Sequence, residues 1–159
     1  MRIAIAAIGR MKAGPERDMI ARYLKRAIGT GKPLGLTGFD VRESPESRAD
    51  TVALRKAEEA KALSAQLGDG PVVILDERGS SIDSEALASR VAGWRDDGAS
   101  DLSFVIGGAD GLDQDFVASA ALSLSFSRLT WPHQLVRIML AEQLYRTTTI
   151  LAGHPYHRS

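Results

Sequence analysis

Two stretches of the sequence gather residues that can do chemistry. The first is Ser123-Leu124-Ser125-Phe126-Ser127-Arg128-Leu129-Thr130-Trp131-Pro132-His133, where closely spaced hydroxyls precede a Pro-His pair. Small polar residues with free backbone amides suit a loop that wraps a ligand. A histidine opening a helix sits at the positive end of the dipole, which disfavours its protonation and favours anions. Thr130 could equally serve as an ordinary N-cap, worth about 1 kcal/mol. The second stretch is Gly107-Gly108-Ala109-Asp110-Gly111. Two adjacent glycines let the backbone approach a ligand closely and present amides that a side chain would block, although a tight turn needing positive φ explains them too. The pattern is G-G-x-x-G, not the dinucleotide fingerprint, and no acid stands about 20 residues further on, so a nicotinamide or flavin site is disfavoured.

Beyond His133, Arg137 and Tyr145 lie eight residues apart, and Glu142 with Arg146 forms an i, i+4 pair that could be a plain surface bridge worth about 0.3 kcal/mol. His154-Pro155-Tyr156-His157 offers two histidines without a third ligand nearby, so no metal is expected. Gly29-Thr30-Gly31-Lys32 imitates the end of a phosphate-binding loop, but Arg26 replaces the first glycine and Pro33 the Ser/Thr. There is no G-x-S-x-G elbow for a serine hydrolase. The absence of cysteine excludes disulfides, thiolate metal sites and cysteine nucleophiles, and fits a reducing cytoplasm.

These residues need a scaffold, and 159 residues suffice for one domain with its own core. No apolar run approaches the length of a membrane span. Basic and acidic residues balance at twenty each, but unevenly. Residues 1–32 carry eight Lys/Arg against two acids, 33–127 eight against seventeen, and 128–159 four against one. A face assembled from the two basic ends could attract phosphates; ordinary solvated charge is the alternative.

Residues 2–8 read as a strand. Pro15 opens a helix whose apolar stripe is Met19, Ile20, Tyr23, Leu24 and Ala27, with Arg17, Arg22, Lys25 and Arg26 largely off it. A weak strand follows around Leu36, Phe39 and Val41. Asp50 can cap a helix to about Leu67 with Val52, Leu54, Ala57, Ala60, Leu63 and Leu67 inward. Residues 72–75 form a buried strand ending at Asp76, and 84–94 a helix. Residues 102–106 form another buried strand, 114–121 a helix and 122–126 a fifth strand, and Pro132 starts the last helix. Alternation of this kind predicts an α/β fold with a mostly parallel sheet. Ligands bind beyond the carboxyl ends of such strands. That rule puts Leu75-Asp76, Gly107-Gly108 and Ser127-Arg128 on one rim.

The segments VILDERG (73–79), FVIGGADGL (104–112), 123–146 and GHPYHR (153–158), with the opening strand and its basic helix, resemble the ribosomal RNA pseudouridine methyltransferase H family of the SPOUT methyltransferases. The resemblance spans essentially the whole chain, strongly from Val72 onward and weakly across 33–70. It implies a single SPOUT domain over 1–159, a parallel-sheet fold with a C-terminal trefoil knot, and a cytoplasmic homodimer. The implied reaction is S-adenosylmethionine-dependent methylation of N3 of a pseudouridine in large-subunit (23S) rRNA of the assembled ribosome, without metal or membrane.

The implied cofactor pocket falls on Leu75, Gly107, Gly108, Ser127, Arg128, Leu129, Thr130, Trp131 and Pro132. The implied catalytic residues are His133, Arg137, Glu142, Arg146, Tyr156 and His157, with the tail supplied across the dimer interface. His133 or Glu142 would help remove the N3 proton while Arg137, Arg146, Tyr156 and His157 hold RNA. The basic first helix and Arg158 would bind rRNA phosphates. Two features depart from the family: the acidic middle segment, and Thr147 where a small apolar residue is usual. The competing class is a cofactor- or ribosome-binding module without catalysis; the intact Pro132-His133 pair and HPYH tail weigh against it. A relative acting on tRNA would carry a larger RNA-binding extension.

Overall fold

Strand β1 (Arg2–Ile8) is buried from Ile3 to Ile8 in the computed structural model, which describes residues 1–157; the phosphate contact expected of Arg158 lies outside them. A strand covered on both faces needs an apolar residue at every position, hence the unbroken apolar run from Ile3 to Ile8 in place of a strict alternation. It pairs in parallel with β2 (Thr37–Ser44) on one side and β4 (Asp101–Ile106) on the other. β4 pairs with β3 (Val72–Ser80), and β3 with β5 (Leu122–Leu124). The result is one parallel sheet in the order β2-β1-β4-β3-β5, the α/β architecture expected. Helices α1 (Pro15–Gly31), α3 (Ser84–Asp96) and α5 (His133–Leu151) cover one face through Ile20, Leu24, Leu87, Val91, Leu140 and Leu144. The other face packs under α2 (Val52–Ser64) and α4 (Gln114–Ala118) through Leu63, Phe116 and Val117.

Several elements differ from the sequence expectation, each for a local reason. Helix α2 is capped by Thr51, whose Oγ1 accepts from Leu54 N at 3.2 Å, and not by Asp50. Val52 and Leu54 are 48% and 54% exposed, because only the second half of α2 reaches the sheet, where Leu63 is fully buried. In α1, Met19 is exposed although it follows the apolar stripe. β2 bulges against β1 so that Gly38 faces Ile3 and Asp40 faces Ala4. The skipped Phe39 takes φ 59° and turns into the core, where it is 3% exposed.

β3 runs past Asp76 to Ser80, yet Leu75 and Ser80 both register against Leu124, so residues 76–79 bow away from the ladder. Asp76 Oδ1 steadies this excursion by accepting from Arg78 N at 2.8 Å. α4 and β5 stop short of the expected boundaries, at Ala118 and Leu124. α5 begins at His133 with Pro132 as N-cap and no side-chain cap, so Thr130 does not play the capping role. The helix buries Thr147, Thr148 and Thr149. Thr148 and Thr149 donate to the carbonyls of Tyr145 and Arg146 at 2.7 Å each, which is how hydroxyls are tolerated there.

Candidate active-site cleft

The carboxyl ends of β3, β4 and β5 open onto a cleft of about 380 Å³. Its walls are the three rim segments expected from the strand ends: Leu75 to Arg78, Ile106 to Leu112, and Phe126 with Ser127, Leu129, Thr130 and Trp131. His133 and Val136 close it from the first turn of α5, and Lys56 from α2. Of the nine residues assigned to the cofactor pocket, Leu75, Gly107, Gly108, Ser127, Leu129, Thr130 and Trp131 line this cleft. Arg128 borders a neighbouring depression with Glu77, Arg78 and Gly79. Pro132 lies between the loop and α5 as its N-cap.

The loop after β5 is held by its own hydroxyls. Ser125 Oγ donates toward the carbonyls of Glu77 and Ser127, and Ser125 N donates to Ser80 O at 3.0 Å, so this loop and the 76–79 excursion are tied together. Ser127 Oγ accepts from Leu129 N at 2.9 Å. Leu129, Trp131 and Leu135 remain 66%, 39% and 42% exposed, an apolar lip beside the cleft mouth.

The glycine loop is explained by close approach more than by backbone conformation. Positive φ falls at Gly111, not at Gly107 or Gly108. A Cβ on Gly107 would stand 2.7 Å from Leu112 Cγ, and one on Gly108 only 2.6 Å from Glu59 Oε2. Asp110 is fixed by Arg55 Nε at 2.6 Å, and this contact holds the Asp110 carboxyl below its ordinary pKa. The cradle fits a flat, mixed polar and apolar ligand: the glycines leave room, while Leu75, Ile106, Leu124, Phe126 and Val136 provide apolar walls.

The six residues expected to catalyse fall into three places. His133 lines the cleft and makes no side-chain hydrogen bond or ion pair among the described residues. Arg137, one turn later, is 4% exposed and turned the other way. Its guanidinium donates to Ile8 O at 2.6 Å, to Gly9 O at 2.7 Å and to Glu43 Oε1 at 2.7 Å. Burial pulls the Arg137 pKa down while Glu43 pushes it back up.

The remaining four gather further along α5, where Glu142 lies roughly 13 Å from His133 along the axis. Glu142 Oε1 accepts from Arg146 Nε at 3.0 Å, Arg146 Nη2 at 2.6 Å and Tyr156 Oη at 3.1 Å, and Gln143 Nε2 donates to Oε2 at 2.8 Å. Hydrogen bonding to Glu142 raises the Arg146 pKa. Burial, with Glu142 second, pushes the Tyr156 phenol up to about 12. The Arg146 guanidinium lies 4.9 Å from the Tyr156 ring centroid, and the Tyr145 and Tyr156 rings are 4.6 Å apart. His157 reaches Arg146 Nη1 at 3.4 Å and Glu85 Oε1 at 3.3 Å. Among the described residues no group of three or more His, Cys, Asp or Glu is placed to hold a metal ion, and no helix is long and apolar enough to cross a membrane.

Sequence reasoning missed the α2 contributions, Lys56 in the wall and Glu59 behind Gly108. Nothing local marks them: both sit in a charged helical run, and only their i, i+3 spacing puts them on one face.

Residues 1–157 match the family model described as "Predicted SPOUT methyltransferase". Among curated proteins, one named Ribosomal RNA large subunit methyltransferase H from Allorhizobium ampelinum is 57% identical over 160 aligned residues, covering all of both chains. One of the same name from Brucella anthropi is 53% identical, again over the full length of both. A solved structure of a probable methylase family protein from Haemophilus influenzae Rd KW20 covers 99% of this chain and 70% of its own at 13% identity, with a TM-score of 0.49. The chain therefore belongs to the SPOUT methyltransferases and, among them, to the family of these full-length curated relatives.

Proposed function

We propose that this chain is a single-domain, cytoplasmic enzyme that methylates N3 of a pseudouridine in the 23S rRNA of assembled ribosomes. The donor is S-adenosylmethionine and the working unit a homodimer. The observation that carries the reading is the convergence of three separate rim segments on one cleft, in a chain that matches rRNA methyltransferases along its entire length. The knot implied by the family belongs to the same reading. It is supported by the bonds from Ser125 to Glu77 and Ser80, which draw the loop before α5 against the 76–79 excursion.

S-adenosylmethionine supplies an electrophilic methyl group on a sulfonium centre. Leu75, Gly107, Gly108, Ser127, Leu129, Thr130 and Trp131 hold it in the cleft, with Arg128 and Pro132 shaping the adjoining loop. The protein's task is alignment plus removal of the N3 proton. His133 is assigned that proton, because it faces the cleft with no competing partner among the described residues. Glu142 is already committed on both oxygens and acts by orienting Arg146 and Tyr156, which hold RNA with His157. Because this cluster lies away from His133 on the same helix, the dimer is what supplies a partner's tail to the cleft. Arg137 keeps its place in the site as the residue that fixes α5 to the sheet. The exposed Arg17, Arg22, Lys25 and Arg26 of α1 meet RNA phosphates, so ribosome affinity falls steeply with salt.

The test is transfer of labelled methyl from S-adenosylmethionine to ribosomes lacking the modification, beside free rRNA and tRNA. Label in large-subunit RNA from ribosomes alone supports the assignment. Cofactor binding without transfer to any RNA would replace it with the non-catalytic module.

A further inference from the structure

The helix α2 presents three charged residues to the glycine loop, and they are not equivalent. Arg55 is paired with Asp110 at 2.6 Å, and Lys56 lines the cleft. Glu59 is 5% exposed, far more buried than carboxylates normally are. Its Oε1 accepts from Ser47 N at 3.0 Å, while Oε2 is sealed from solvent and has no partner among the described residues. That orphan oxygen faces Gly108, at 2.6 Å from where a Cβ would stand, so only a glycine's backbone separates it from the cleft. Around the cleft Arg55 is paired with Asp110, and Lys56, Arg78 and Arg128 stand near Asp76 and Glu77 at its partly open walls. Glu59 differs from all of these in being buried with one oxygen unpartnered, and burial leaves its charge little screened.

We propose that Glu59 is a specificity-determining residue whose buried, half-paired carboxylate beneath Gly108 makes the cleft prefer a cationic sulfonium ligand over the neutral thioether that remains after methyl transfer. The inference rests on the reading of the cleft as an S-adenosylmethionine site. It assigns Glu59 no contact with the reacting atoms. A buried, little-screened negative charge favours the ligand that carries one more positive charge, and its influence on the thioether product is correspondingly smaller. Such a preference makes the product easier to displace by fresh donor.

The experiment is calorimetric titration of the full chain with S-adenosylmethionine and with S-adenosylhomocysteine, for the native sequence, Glu59→Gln and Glu59→Asp, with a thermal melt of each. Glu59→Gln is expected to lower the ratio of the two affinities by roughly three- to tenfold, almost all of it lost from S-adenosylmethionine. Glu59→Asp, which keeps the charge, should hold most of the native ratio. Should Glu59→Gln not fold, the native chain alone decides: an affinity for S-adenosylmethionine no greater than that for S-adenosylhomocysteine overturns the inference. Equal weakening of both ligands would show that Glu59 only shapes the loop and would overturn the inference. An unchanged ratio does the same. If the native chain binds neither ligand, the proposed function itself fails, a different result from either.

Discussion

The carboxyl-end rim of the sheet has two halves, and one helix serves them in opposite ways. Over β1 and β2 the rim is closed: Arg137 saturates the carbonyls of Ile8 and Gly9 and pairs with Glu43, which also accepts from Met11 N at 3.0 Å. Over β3, β4 and β5 the rim is open, and His133, one turn earlier on α5, faces the cleft with no side-chain partner among the described residues. A buried guanidinium is tolerated when its charge is paired and most of its donors are matched; both terminal nitrogens of Arg137 are, while its Nε stays buried without a partner among the described residues, so the closed half holds the structure and offers nothing to a ligand. An uncommitted imidazole at an uncapped helix start contributes little to folding and is free for a substrate. The difference teaches that neighbouring polar residues of one family motif can be divided between holding the site and working in it.

That division can be broken in order of expected size. Arg137→Ala strands Glu43 and two carbonyls and should cost about 3 kcal/mol of stability, read from denaturant unfolding. A loss below that of an ordinary surface change would mean the closed half does not close. His133→Ala should lower methyl transfer at saturating substrates by roughly 100-fold while leaving the melting curve in place. If it instead unfolds the chain and Arg137→Ala does not, the two halves have been assigned backwards.

Glu142→Gln retains the shape of the carboxyl group but weakens four charge-assisted bonds, from Arg146 Nε and Nη2, Tyr156 Oη and Gln143 Nε2. A loss of about 1 kcal/mol is expected, along with a raised KM for ribosomes more than a lowered kcat. The native chain should also lose stability as pH rises from about 10 to about 12. The folded Tyr156 holds its proton up to about 12, whereas the unfolded phenol releases it near 10, so folding is favoured below that window and penalised through it. Tyr156→Phe should flatten this part of the stability–pH curve. Smallest is Asp110→Asn: the pair with Arg55 is 31% and 27% exposed and solvent-screened, so its loss should move the denaturation midpoint no more than an ordinary surface substitution does.

Much of this arrangement was legible in the chain. β1, β4 and the start of α5 carry dense apolar patterns or a proline, and the rule that ligands sit beyond strand ends put Leu75, Gly107-Gly108 and Ser127 on one rim. The division between His133 and Arg137 was not legible, because spacing places both on one helix but not which partner each finds. Glu59 was hidden for the same reason, sitting beside the exposed Glu58 with nothing to distinguish them. Val52 and Leu54 misled because apolar periodicity cannot tell where along a helix the sheet ends. Phe39 enters the core through a left-handed residue, a conformation that periodicity does not encode.

The sheet order has a last consequence, for how the molecule is made. β1 is hydrogen-bonded to β4, whose first residue lies 99 positions later, and α1 packs against the final helix. The core face covered by α1 and α5 can therefore not be sealed until α5 has been made, whereas the opposite face, built from Ala6 to Ala120, can close earlier. The first strand must wait, unpaired on that side, until residue 106 has emerged, and the first helix until α5 has. Parallel pairing over such separations folds slowly, so this part of the nascent chain depends on staying soluble in an open state until α5 has emerged.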